Sequence, residues 1–257
     1  MTTARACAIT VVAIAPAVVV ALVVATVGTL MGGRLAGGDL LLALFGTTVM
    51  ISALSATAGT AIGVSAALFA VEIASPRARQ VIKALIGCLH AIPAVGFGLT
   101  AAGALLFAPR PPNALEVFAL AAMVLVVMLA SVVFVQMRRE LHRVPASVRE
   151  AACAMGADSV QVVLRAVLPA IRRKIIGIWW ATLGLALGEA TALSMIFAAA
   201  NLRNIQLGTL ASTLLREGAA ERGDALVALA PTALVLFSMS IVIIVIGRRT
   251  TGEVAWR

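Results

Sequence analysis

The stretch REAACAMGADSVQVVLRAVLP, residues 149–169, places polar and small residues between two apolar runs, and its reading decides the fold. Pro145, just ahead of it, suits the first turn of a helix. Ala146 to Met155 is a good helix former, and Gly156 supplies a natural C-terminal cap. Asp158 or Ser159 then caps a second short helix over Val160 to Val167, which Pro169 is expected to stop. The segment 145–169 thus predicts helix, glycine turn, helix. Ala151 and Ala152 leave one face bare for the close approach of a partner, with Arg149 and Glu150 offering charge at its edge.

The surroundings of this element are membrane-like. Of 257 residues, 62% are hydrophobic and 12% charged, against about 25% charged in soluble domains. A helix needs roughly 20 apolar residues to cross the hydrocarbon core. By that measure six spans are expected, at about 8–31, 41–71, 82–108, 114–137, 175–200 and 226–247. The second is too long for one perpendicular crossing, so it tilts or projects from the bilayer. The alternation of a membrane barrel is absent, which leaves helices to satisfy the backbone in lipid. The fold class expected is all-α, a polytopic membrane protein formed as a single domain over residues 1–257.

The net charge of +9 does not point to nucleic acid, because the basic residues are sorted by loop. With both termini on one side, that side holds fifteen of the twenty, eight of them between Arg138 and Lys174. The positive-inside rule then puts both termini and the segment 145–169 in the cytoplasm. A signal peptide is the other reading of residues 1–31, but the apolar run of about 24 residues exceeds the usual h-region, and an uncleaved span is expected. Cys7, Cys88 and Cys153 are scattered and give neither a disulfide framework nor a metal site. His90 and His142 are far apart, and no HExxH, Cys/His cluster or GxSxG occurs. A phosphate-binding loop needs Gly-Lys-Ser/Thr, yet Lys83 and Lys174 follow Ile82 and Arg173. Any nucleotide that drives this chain is bound by another.

Glu150-Ala151-Ala152, three residues, Gly156, then Leu168-Pro169 resembles the EAA signature of ABC importer permeases; Ala166 stands where that pattern has Ile. The resemblance implies an ABC type I importer permease whose segment 145–169 is the coupling helix, with Arg149, Glu150, Ala151, Ala152, Gly156, Leu168 and Pro169 transmitting closure of an ATPase. It also implies no catalytic residue and no cofactor in this chain, with ATP and Mg held by two ATPase subunits. A second, related permease chain and an extracytoplasmic binding protein complete the assembly in a bacterial plasma membrane.

Three further stretches are similar to the phosphate-specific C-type permeases: residues 59–99, the segment ALGEATALSMI at 186–196, and residues 207–237. They imply phosphate uptake by alternating access; molybdate, tungstate or sulfate import, or a secondary transporter without ATPase, are the alternatives. Two departures stand out: Ala94 replaces the Ser expected after Ile92-Pro93, and Leu185 replaces an Arg. The missing cation makes a heterodimer attractive.

Glu189 is the acidic residue that falls deep in a span, where a charge costs about 2.5–3.5 kcal/mol on insertion scales. Either it lines the pathway and accepts a hydrogen bond from a phosphate P–OH, or it holds helices together, protonated or paired with a basic residue of a neighbouring chain. Gly188, Thr191, His90 and Pro93 are the other pathway candidates. Gly59/Gly63 and Gly184/Gly188 form GxxxG pairs best explained by close helix packing. His90 is expected to hydrogen-bond between helices, and Pro93 to kink the third span. Trp179 and Trp180 fit an interfacial aromatic belt. Arg203, Arg216 and Arg222 share the outer loop with Glu217, Glu221 and Asp224, as a solvated mixed-charge surface or as a contact for the binding protein.

Overall fold

A computed structural model describes residues 38–202, 213 and 223–250. The first expected span and the outer loop bearing Arg203, Arg216 and Arg222 lie outside the described residues.

Every regular element among the described residues is helical. Helix α1, Gly38–Leu68, continues as a π-helical turn over Phe69–Ile73. Then come α2, Pro76–Ala91; α3, Ala94–Leu106; and α4, Ala114–His142. Helix α5, Ala146–Ala154, is followed by the single turn α6, Ser159–Gln161, a π-helical stretch Val162–Val167, and α7, Leu168–Gly188. Helices α8, Thr191–Leu202, and α9, Gly223–Thr250, complete the order.

Among the described residues two stretches are long and apolar enough to cross a membrane unbroken, Gly46–Ile73 with 28 residues and Ala114–His142 with 29. At about 1.5 Å per residue each reaches roughly 42 Å, which bears out the expectation that the second span outruns the hydrocarbon core. Asn113 starts α4 with a capping box: its Oδ1 accepts the Glu116 N–H at 2.8 Å, while Glu116 accepts the Asn113 N–H at 3.1 Å.

Two expected spans are not single helices. The third, 82–108, divides at Ile92-Pro93 into α2 and α3, whose axes differ by 86°. Proline lacks an N–H and clashes with the carbonyl four residues back, so the helix restarts instead of bending gently. The fifth, 175–200, is bent by 45° at Glu189-Ala190. There α7 ends with Glu189 in an extended conformation, φ −73° and ψ 106°, and α8 begins afresh.

The helix expected to stop at Pro169 does not stop. Leu168 donates to Val163 O, five residues back, so the chain is in the wider π register as it reaches the proline. That register accommodates a residue with no N–H, and the chain runs on into α7.

Glycine sets the closest crossings. A methyl group at Gly63 would meet Ala130 O and Val133 Cβ, both at 2.7 Å, and one at Gly59 would meet Leu129 Cβ at 3.0 Å, so α1 lies directly against α4. The second pair divides differently from expectation. A methyl at Gly184 would lie 2.6 Å from Ile244 Cγ1, but one at Gly188 finds only Ser240 Oγ at 3.8 Å. The close partner of α7 is Gly247 of α9, where a methyl would meet Ala181 N at 2.6 Å.

Buried side chains gather in two groups along the bundle. One joins Leu125, Leu129, Leu193 and Ile196 across α4 and α8; the other joins Val64, Phe134, Met137, Val167 and Ile171 around α1, α4 and the start of α7. The second group includes Ala152, which mounts α5 on the bundle.

Candidate functional site

The first part of the segment, residues 145–161, folds as its residues dictate. Pro145 is the residue ahead of α5 and Met155 the residue after it. Gly156 takes φ +84°, which costs a residue with a Cβ about 1–2 kcal/mol. Its N–H donates to Cys153 O at 2.9 Å and the Ala157 N–H to Ala152 O at 3.2 Å, the paired bonds of a Schellman cap. Asp158 Oδ1 accepts the Gln161 N–H at 2.7 Å and starts the next turn.

One face of α5 is open. Glu150, Ala151 and Met155 are exposed, and Met155 at the tip keeps 83% of its surface. Ala152 is not on that face: it is buried in the second apolar group, so the bare face expected to hold both alanines holds only Ala151.

Arg149 also departs from its expected place at the edge of the open face. It turns inward, and its Nε and Nη2 grip the Glu72 carboxylate at 3.0 and 2.7 Å. Nη2 also donates to Leu141 O at 3.0 Å, and Nη1 to Val144 O at 2.9 Å. One guanidinium therefore joins α5 to the π turn that extends α1, to the last turn of α4 at Leu141 and to the Val144 carbonyl in the turn between α4 and α5. The hydrogen bond to Glu72 raises the Arg149 pKa, against burial, which acts to lower it. Beside this knot Arg79 donates to Ala70 O at 2.9 Å and Val71 O at 2.8 Å, closing the π turn.

Glu72 was missed as a partner of this element. Its signal was an acidic residue at the end of a long apolar run, but nothing in the sequence connects it with a residue 77 positions later.

The break between α7 and α8 gives Glu189 a definite role in the backbone. Its Oε1 accepts the Thr191 N–H at 2.9 Å and the Ala192 N–H at 3.0 Å, so the carboxylate caps α8. The charge expected in mid-helix thus stands at a helix N-terminus, where two amide donors and the helix dipole favour it. Among the described residues no basic group pairs with it, and no donor reaches Oε2. Gly188 is exposed and Thr191 half-buried beside it.

His90 and Pro93 belong to the other bent pair. His90 Nδ1 lies 3.5 Å from Ser131 Oγ of α4, a long contact, and Ser131 gives its own proton to Met128 O at 2.7 Å. The helices that follow the two breaks cross closely, since a methyl at Gly98 of α3 would lie 2.9 Å from Ala192 Cα of α8. Trp179 directs its indole N–H to Thr57 Oγ1 of α1 at 3.2 Å, a partner within the chain, and stacks edge-on with Trp180.

Long apolar helices, two broken ones and a short exposed helix between spans mark a polytopic membrane protein. The sequence from residue 59 to 251 matches the family described as binding-protein-dependent transport system inner membrane component. The chain belongs to that family, the membrane permease component of ABC importers, and is not an enzyme. Solved structures agree on the fold. An inward-facing crystal form of the MetNI methionine ABC transporter is 19% identical with a TM-score of 0.63, over 82% of this chain and 96% of that one. A crystal structure of an amino acid ABC transporter with histidines is 17% identical with a TM-score of 0.53, over 82% and 94%. No curated protein matches the sequence. An importer permease works with ATPase partners and a substrate-binding protein.

Proposed function

We propose that this chain is one half of the translocation pathway of an ATP-driven phosphate importer. Helix α5 docks on an ATPase subunit through its open face, with Glu150 and Ala151 at the contact and Gly156, Leu168 and Pro169 shaping the element behind it. Both termini are cytoplasmic, and the full complex holds two ATPases, a second and related permease, and an extracytoplasmic binding protein. ATPase closure presses on the two docking helices and rocks the bundles between inward- and outward-open states.

The observation that carries the substrate is the Glu189 carboxylate at the α7–α8 break. Its Oε1 is committed to Thr191 and Ala192, and Oε2 is left to accept. Because the carboxylate already fills the N-terminus of α8, an anion does not bind those amides. A phosphate that keeps one P–OH donates it to Oε2, and sulfate has no such proton to give at neutral pH. Gly188 leaves room beside the carboxylate, Thr191 adds a hydroxyl, and His90 and Pro93 lie on the second broken helix. The cation absent at Leu185 comes from the partner permease.

A second reading follows from the same carboxylate. An acidic group in the pathway suits the ammonium of an amino acid better than it suits an anion, and the solved relatives named above carry methionine and amino acids.

The test is ATP hydrolysis by the complex purified through this chain and reconstituted in lipid. Binding protein is supplied loaded with phosphate, sulfate or methionine. Stimulation by phosphate alone supports the first reading, and stimulation by methionine replaces it with the second. Recovery of no ATPase overturns both.

A further inference from the structure

We propose that the Arg149–Glu72 pair is a positioning strut that makes docking helix α5 and helix α1 move as one body. The inference rests on α5 being the element that meets the ATPase. A helix of 9 residues transmits a push only as far as its own attachment is rigid. Its covalent attachment runs to α4 through a short turn at Arg143–Pro145, and the chain provides no such link to α1. The link is made by side chains.

Three observations give that link its stiffness. The guanidinium engages Glu72 through two nitrogens, the end of α4 through the Leu141 carbonyl and the turn after it through the Val144 carbonyl, so it fixes orientation as well as distance. The pair is sheltered, with 8% of the Glu72 side chain and 27% of the Arg149 side chain exposed, so water and salt compete with it poorly. Arg149 also points away from the open face of α5, so an ATPase can occupy Glu150 and Ala151 without displacing it. Apolar contacts such as those of Ala152 resist separation but permit sliding; a planar fork held at four acceptor positions does not. Lysine, a single point of charge on a flexible stem, cannot bridge the same partners.

The strut predicts what moves together. Spin labels are placed at Cys153, which is exposed on α5, and at a cysteine replacing the exposed Leu54 on α1, in a chain carrying Cys7→Ser and Cys88→Ser. Distances are measured by pulsed electron paramagnetic resonance in the complete complex in lipid, nucleotide-free and trapped with ATP and vanadate. The unaltered pair keeps one narrow distance distribution in both states. In Arg149→Lys and in Glu72→Gln the distribution shifts and broadens on trapping.

A pair that only stabilised the fold would lower the yield of complex and leave the distances in the surviving complex unchanged, which overturns the proposal. A shift on trapping with the pair intact overturns it as well, and that measurement stands even if the variants do not assemble. If no ATPase accompanies the unaltered chain, the docking role of α5 falls and the strut falls with it.

Discussion

Replacing Glu189 separates its service to the backbone from any service to a substrate. Alanine removes the acceptor of two amide protons at the start of α8. Loss of a helix cap costs about 0.5–2 kcal/mol, loss of a charge at the dipole about 0.3–1 kcal/mol, and a buried N–H left without a partner about 1–3 kcal/mol. These overlap, and a total of about 2–4 kcal/mol is expected for Glu189→Ala. Glutamine keeps a carbonyl oxygen where Oε1 stands and loses mainly the charge, so Glu189→Gln costs about 0.3–1 kcal/mol. At about 2–4 °C per kcal/mol for a chain of this size, alanine lowers the melting temperature by roughly 4–16 °C and glutamine by roughly 1–4 °C. Intrinsic tryptophan fluorescence on detergent-solubilised protein, heated at one fixed rate, measures both. Transport is then assayed on the glutamine variant, whose fold is nearly intact. A large loss of uptake with a small loss of stability supports Glu189 in the pathway. Glutamine as damaging to the melting temperature as alanine refutes the capping argument, because the acceptor would then not be what α8 needs.

Gly63→Ala inserts a methyl 2.7 Å from Ala130 O, where backbone must give way, and should cost about 1–3 kcal/mol; Gly188→Ala, with 3.8 Å to its nearest neighbour, should leave the melting temperature unchanged. Equal effects of the two would refute the assignment of close packing to Gly63. Gly156→Ala meets no atom within 4 Å, so its whole cost is the left-handed backbone, about 1–2 kcal/mol, and it should weaken ATPase co-purification more than thermal stability. Asn113→Ala removes half of the capping box of α4 and should cost about 1 kcal/mol, visible as faster hydrogen exchange confined to the first turn of that helix.

What the sequence disclosed and what it concealed divide along physical lines. Local patterns were legible. The turn at Gly156 and the cap at Asp158 follow from residues within five positions of one another, and the length of α1 and α4 follows from uninterrupted apolar runs. Breaks were legible only as proline: Pro93 announced a kink, though not one of 86°, while the break at Glu189 has no proline and looked like mid-helix. Hydropathy sees an apolar run and cannot see where the backbone leaves it. Pro169 misled for the opposite reason, since a π-helical register upstream removes the obstacle that a proline normally presents.

Contacts between distant segments were the least legible, and the site depends on them. Ala151 and Ala152 are neighbours in sequence, yet only the first faces outward, because α5 turns one side to the bundle. The same rotation carries Arg149 away from the open face and onto Glu72. Arg149 and Glu150 read in sequence as two charges at one edge; in the structure one holds the element to its own chain and the other is exposed on the face proposed to meet the ATPase. A docking element needs both a free surface and a firm root. Adjacent residues on a helix, about 100° apart around its axis, supply the two without lengthening the segment.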